Sequence, residues 1–147
     1  MKNDYKVTIG LEIHAELRTN SKMFCSCPNL PDEDKPNTHI CPVCMGHPGT
    51  LPVLNKEAIK SVLKVGIAVD GNFADFTEWA RKNYFYRDIP KGYQISRYAY
   101  PLVQQGKLFV KNAKGEDVPV GITRIHLEED TASSIHDQGE YSLVNYN

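Results

Sequence analysis

The sequence predicts an α+β domain in which an antiparallel sheet carries packed helices. Three observations point to it: near-perfect apolar/polar alternation over residues 7–18, one amphipathic helical pattern over residues 55–69, and a run of short strand patterns after Ser96. A chain of 147 residues is one domain's worth of material, long enough to bury a core. Hydrophobic content of 41% and charged content of 24% exclude a disordered composition. A formal net charge of −1 argues against a domain that holds nucleic acid mainly by electrostatics. No apolar run is long enough to cross a bilayer. Residues 1–4 open directly into the first strand pattern with no signal peptide, so the cytosol is the expected compartment.

In the first pattern Val7, Ile9, Leu11, Ile13, Ala15 and Leu17 point one way, and Thr8, Gly10, Glu12, His14, Glu16 and Arg18 the other. That is the period of a strand with one buried face. A solvated polar face is the ordinary reading, but Gly10 beside Glu12 and His14 suggests a close approach of ligand or backbone.

All four cysteines follow in a proline-rich segment. Cys41-Pro42-Val43-Cys44 has the spacing that turns two thiolates onto one tetrahedral metal, while Cys25-Ser26-Cys27 is one residue tighter than usual. A structural four-thiolate zinc site is favoured over free thiols, and a cytosolic chain disfavours disulfides. Pro42 and Pro48 do not suit a thioredoxin-like strand-to-helix motif. His39 and His47 flank the second pair and read as loop residues that can substitute as ligands.

Over residues 55–69, Asn55 can cap a helix whose Ile59, Val62, Leu63 and Gly66 share one face, with Asp70-Gly71 ending it. Gly66 suits close packing, and Trp79 reads as core. Residues 81–96 crowd Arg81, Lys82 and Arg87 around Tyr84, Phe85 and Tyr86, before the turn Asp88-Ile89-Pro90-Lys91-Gly92. The aromatics suit a half-buried strand, and such a loop can offer cations and backbone N–H groups to a phosphate. An aromatic edge strand with solvated charges is the competing reading.

Strand patterns over residues 107–111 and 117–122 flank the turn Asn112-Ala113-Lys114-Gly115, and Pro119 marks the second as interrupted or at an edge. Continued alternation places Arg124, His126, Glu128 and Asp130 on one face. Glu128, Glu129 and Asp130 repel one another and resist burial unless something positive lies between them. A divalent cation with oxygen ligands would serve, and a strand end already in solvent is the alternative. Residues 133–139 read as a turn and residues 140–146 as a last strand that can pair back.

In this order, VTIGLEIHAEL, SKMFCSC, CPVCMGHPGTLPVLN, RKNYFYRDIPKGYQIS, GITRIHLEED and SLVNYN closely resemble the N-terminal part of the B-subunit family of bacterial aspartyl/glutamyl-tRNA amidotransferases. The resemblance runs from about Val7 to the last residue. It implies a fold similar to glutamine synthetase and guanidino kinases. It also implies that residues 1–147 are the first part of a catalytic cradle domain with a zinc loop at 23–47. Further cradle segments and tRNA-binding helical and tail domains belong to the longer family members.

The activity so implied is a ligase of protein biosynthesis with glutamine as amido donor. ATP phosphorylates the side-chain carboxylate of Glu-tRNA(Gln) or Asp-tRNA(Asn). Ammonia from an amidase partner subunit then displaces the phosphate, within a heterotrimer completed by a small third subunit. By motif match the resemblance implies Mg²⁺ at Glu12, His14 and Glu129, with Glu128 the alternative that alternation favours; a bulge near Leu127 would reconcile the two. It puts Lys82, Asn83 and Tyr84 on the nucleotide side, and zinc on Cys25, Cys27, Cys41 and Cys44. Arg87 stands where the family usually has proline, Thr131-Ala132-Ser133 where it has Ala-Gly-Lys, and Asn145 where it has aspartate. Two other readings compete: a zinc module that binds nucleic acid without catalysis, and a scaffold whose aromatic stretch docks a protein partner.

Overall fold

Helix α1 (Lys56–Ala68) forms where the apolar spacing predicts it, and both of its ends are closed by side-chain or backbone hydrogen bonds. Asn55 Oδ1 accepts from the Glu57 N–H at 2.9 Å, and its Nδ2 donates to the Ser21 carbonyl at 3.0 Å, so the cap also ties the helix to the cysteine segment. At the far end Asp70 N donates to Ile67 O and Gly71 N to Gly66 O, with Asp70 at φ 53. That is a Schellman closure with a non-glycine residue in the left-handed position. The buried face carries Ala58, Val62 and Gly66, with Ile59 and Leu63 partly buried beside them.

The computed structural model describes residues 5–147, the side chains at 137 and 138 excepted. After α1 come β1 (Asn72–Phe73), β2 (Ala80–Asn83), β3 (Tyr93–Ser96), β4 (Val103–Lys111), β5 (Asp117–Ile125), β6 (Ser133–Gln138) and β7 (Tyr141–Asn145). Every strand pairing among the described residues is antiparallel, in keeping with the α+β expectation. The expected single sheet is instead three small ones, ordered β1-β4-β5, β2-β3 and β6-β7, and one helix stands among the described residues where several were expected. The core gathers where α1 lies on β4: Ala58, Val62, Leu102, Val103 and Leu127 are buried together, with Trp79 packed against them. Trp79 is core, as read, and meets Phe24 edge-to-face at 5.0 Å.

Several expectations need correction. Residues 7–18 form no strand: they pair with no ladder, and Val7, Ile9, Leu11 and Ile13 are 80–87% exposed. Alternation gives a segment a face to bury, but a strand exists only where another strand satisfies its backbone groups. Gly10 would meet nothing within 4 Å if it carried a Cβ, so no protein backbone or side chain approaches it closely. The first strand of the central hairpin ends at Asn83, and Phe85 is 92% exposed beyond it. β5 stops at Ile125; Glu128 then meets Ser96 only through an isolated bridge, so no bulge at Leu127 arises. Residues 133–138 are a strand, and the turn is confined to Gly139-Glu140. Pro119 does lie at an edge, for β5 borders its sheet without interruption. Residues 1–4, read as leading straight into the first strand, lie outside the described residues.

Gly66 is a packing requirement. A Cβ there would lie 2.6 Å from Val103 Cγ2 and 2.8 Å from Phe73 Cε1. Helix propensity favours alanine over glycine by about 1 kcal/mol, whereas overpacking a closed core costs about 1–3 kcal/mol. Gly66→Ala is therefore expected to lower the urea midpoint, and to cost less when introduced into a Val103→Ala background. Equal costs in both backgrounds would contradict the clash.

Candidate functional site

Hairpin β2–β3 and the acidic run build the site together. Lys82 stands opposite Gln94 in the ladder, and Asn83 opposite Tyr93. Lys82 Nζ reaches Glu128 Oε1 at 2.9 Å, while Glu128 Oε2 lies 3.5 Å from His126 Nε2. Lys91, from the turn, reaches Glu129 Oε1 at 2.5 Å, and the Ile95 N–H donates to Glu129 Oε2 at 3.0 Å. The Gln94 side-chain amide donates to the Glu129 carbonyl, and the Glu129 N–H to the Ile95 carbonyl. The Tyr84 hydroxyl, just past the strand, donates to Gln94 Oε1 at 3.1 Å. The positive charge that the acidic run was expected to require comes in the first instance from two lysines.

Their electrostatics agree. Burial would raise the Glu128 carboxyl, but the Lys82 hydrogen bond and charge, with His126 nearby, hold it below the usual carboxylate value. The Glu128 hydrogen bond pushes Lys82 upward against its own burial, with smaller pushes from Tyr84 and Glu12. Burial raises the Tyr84 phenol. Glu12 thus lies within electrostatic reach of Lys82, although it sits on the unpaired run with His14 at 3.3 Å and both side chains are about four-fifths exposed. The structure joins Lys82 to Glu128, with Glu12 only a minor electrostatic influence on Lys82; Glu129 pairs with Lys91 of the hairpin turn and with the Ile95 N–H of β3.

The four cysteines converge. Their sulfurs all lie within 4.8 Å of one another, close to the separation of about 3.8 Å that four sulfurs at about 2.3 Å from one tetrahedral ion would have. They can therefore hold a metal, and His39 and His47 stay outside the group, as read. The Cys41–Cys44 knuckle is wound by Met45 N to Cys41 O, Gly46 N to Val43 O and His47 N to Pro42 O. The tight Cys25-Ser26-Cys27 pair works because residues 23–27 bend between the Ser21–Pro28 bridge. Burial pushes the Cys25 thiol up to about 12 and raises that of Cys27. Burial also opposes ionisation of Cys41, but hydrogen bonds from the Cys44 backbone, the Cys27 thiol and the Val43 backbone bring it down to about 7.

Two lysines that motif reading passed over matter here. Lys22 Nζ lies 3.9 Å from Cys44 Sγ and donates to the carbonyls of His39 and Tyr146, so an ammonium faces the thiol cluster. Lys91 was visible only as a turn residue. Gly46, at φ 67, would place a Cβ 3.1 Å from the Lys91 stem, so the cysteine knuckle packs directly on the lysine that holds Glu129. No local signal links positions 46 and 91.

The departures from the family pattern also find places. Asn145 Oδ1 accepts from the N–H groups of Asn37 and Asn147, tying β7 to the cysteine loop; an amide oxygen fills that acceptor role. Arg87 and Ala132 line a cavity of about 260 Å³ with Tyr86, Asp88, Ser134 and His136, and Ser133 lies between two of its lining residues.

Two outcomes are expected. Replacing Cys41 and Cys44 by serine should take bound metal from about one equivalent per chain to about zero by elemental analysis. Lys82→Met should let the Glu128 pKa rise, read by carbon-13 NMR. Because its folded value is depressed, the stability Glu128 contributes is present above its unfolded value of about 4.3 and lost as pH falls through the folded value. That acid-side loss should shrink in the variant.

Residues 7–147 match the family described as the GatB/GatE catalytic domain. The chain is 52% identical over 148 residues to the B-subunit of the aspartyl/glutamyl-tRNA(Asn/Gln) amidotransferase of Methanospirillum hungatei, covering 98% of this chain and 31% of that relative. It is 50% identical over 143 residues to the protein of that name from Thermodesulfovibrio yellowstonii, covering 97% and 30%. It is 47% identical over 151 residues to that of Methanosarcina mazei, covering 99% and 30%. The chain thus spans about a third of the length of these curated relatives. With 141 consecutive positions matched, from 7 to 147, the chain belongs to the GatB/GatE catalytic-domain family.

Proposed function

We propose that this chain contributes the carboxylate-activating site of a tRNA-dependent amidotransferase. The substrate is Glu-tRNA(Gln) or Asp-tRNA(Asn), whose side-chain carboxylate is phosphorylated by ATP and then amidated with ammonia. The partners in this reading are an amidase subunit and a small third subunit, in the cytoplasm. The fold kinship is with glutamine synthetase and guanidino kinases, with this chain as the first part of a larger catalytic domain. Family membership supports the reading, and one observation carries the site: Lys82 lies 2.9 Å from Glu128, whose other oxygen lies 3.5 Å from His126.

In this reading Glu12, His14 and the acidic pair hold Mg²⁺, which neutralises phosphate oxygens when bound. Both oxygens of Glu129 are held closely, by Lys91 and by the Ile95 N–H, whereas Glu128 is held at 2.9 Å by Lys82 through one oxygen and meets His126 only at 3.5 Å through the other. That favours Glu128 as the ligand and gives Glu129 the task of fixing β3. His14, softer than Mg²⁺ prefers, acts through water. Lys82, Asn83 and Tyr84 turn toward the nucleotide, Lys82 as the cation for its phosphates. The all-sulfur set suits zinc, which with four thiolates has no open position and so serves structure.

The test uses the assembled enzyme with its amidase. Glu12→Gln should lower kcat for amidation by roughly 10²–10³-fold, the scale of losing one electrostatic stabiliser of the transition state, with zinc content unchanged. Amidation at the unmodified rate would refute the metal-site assignment.

A further inference from the structure

Lys91 links two centres that share no ligand, the thiol cluster and the acidic pair. Its side chain is 7% exposed, and its ammonium reaches Glu129 Oε1 at 2.5 Å. Glu129 is in turn fastened to β3 twice. Its N–H donates to the Ile95 carbonyl at 2.8 Å, and its Oε2 accepts from the Ile95 N–H at 3.0 Å. The Lys91 charge offsets the burial of this carboxylate and so keeps the attachment in place.

The other side of Lys91 is walled by the cysteine loop. Gly46, two residues past Cys44, has φ 67, and a Cβ on it would lie 3.1 Å from Cβ and Cδ of Lys91 and 3.1 Å from the Tyr93 hydroxyl. The Tyr93 ring lies against the same lysine, its centroid 5.0 Å from Nζ. A second connection runs through Lys22, whose ammonium lies 3.9 Å from Cys44 Sγ and donates to the Tyr146 carbonyl. Burial pushes the Tyr146 phenol upward, and a backbone hydrogen bond from Lys91 opposes that push. Lys91 is therefore held along its stem and at its backbone by residues tied to the thiol cluster.

A wall that restricts the flexible lysine stem removes part of the entropy that the ion pair at its tip would otherwise lose. The Cys41–Cys44 knuckle is closed by the Cys41 N–H, which donates to Cys44 Sγ at 3.2 Å, and by the backbone bonds of its turn. An ion joined to all four sulfurs would tie that knuckle to Cys25 and Cys27 as well. The firmness of the wall against Lys91 is then set by the metal.

We propose that Lys91 is a positioning residue that carries the state of the thiol cluster to the acidic pair: a metal-held knuckle fixes its stem, and the fixed ammonium holds Glu129 on β3. This coupling needs no step of the amidotransferase reaction, so it stands or falls apart from that reading.

The test follows amide hydrogen exchange by NMR in the full chain, with zinc bound and after its removal by EDTA, occupancy being read by elemental analysis. Zinc removal should speed exchange of the Ile95 and Glu129 amides at least tenfold, while those of Leu108 and Val120, paired between β4 and β5, stay unchanged. In Lys91→Met, which keeps most of the stem and removes the charge, Ile95 and Glu129 should exchange at the fast rate with or without zinc. Lys91→Arg should restore part of the zinc dependence. The double variant Lys91→Met/Glu129→Gln leaves no unpaired buried charge to unfold the chain, and its exchange should be equally indifferent to zinc. Coupling is reciprocal, so Lys91→Met should also weaken zinc binding by a comparable factor, read by competition with a chromophoric chelator. Failure to take up zinc, unchanged Ile95 and Glu129 exchange when zinc leaves, equal acceleration at Leu108 and Val120, or a zinc dependence that survives in the Lys91→Met variants would each overturn the assignment.

Discussion

Two neighbouring carboxylates, Glu128 and Glu129, stand along β3, and the arrangement around them exists because each has a lysine of its own. Lys82 comes from one arm of the hairpin and Lys91 from its turn. Adjacent like charges at a partly buried place are unstable without such partners, and removing one member of a buried pair costs about 3–5 kcal/mol. The Lys91–Glu129 pair is the deeper of the two, with side chains 7% and 16% exposed. It sets where the chain runs after β5, since Glu129 also binds Ile95 through its backbone and its side chain.

The cysteine cluster acts on the same pair from behind. Gly46 lets the knuckle approach until the Lys91 stem lies against it, which a side chain at that position would obstruct. Ordering of the sulfurs by a metal would therefore fix the lysine and, through it, Glu129. Asn37, Asn145 and Asn147 bind the far side of the loop to β7. In this way the thiol cluster and the acidic pair become parts of one mechanical unit without sharing a ligand.

Helix α1 has a simpler task. Its capped ends and its buried face on β4 hold the core that carries Trp79, and Trp79 in turn lies under the Arg97 guanidinium at 4.4 Å. Burial lowers the Arg97 pKa, because the charged form loses water that the ring only partly replaces. The helix with β1-β4-β5 and the hairpin with the cysteine loop meet where Asn55 bonds Ser21 and Met23, where Trp79 packs on the core, and at the Ser96–Glu128 bridge.

By itself the sequence determined what depends on local spacing. The helix and its Asn55 cap, the Asp70-Gly71 ending, the Asn112–Gly115 turn, the cysteine knuckle and the ordered family motifs are written in residues near one another, whose backbone preferences act at short range. Only the tertiary structure decided which charges meet. Alternation placed Glu128 with His126, but not opposite Lys82, forty-six residues earlier. It likewise assigned residues 7–18 to a strand, since a period of two records which face is apolar and says nothing of a partner. Pairings such as Lys91–Glu129 and Gly46–Lys91 follow from where the chain returns in space, and that return is set by packing across the whole fold.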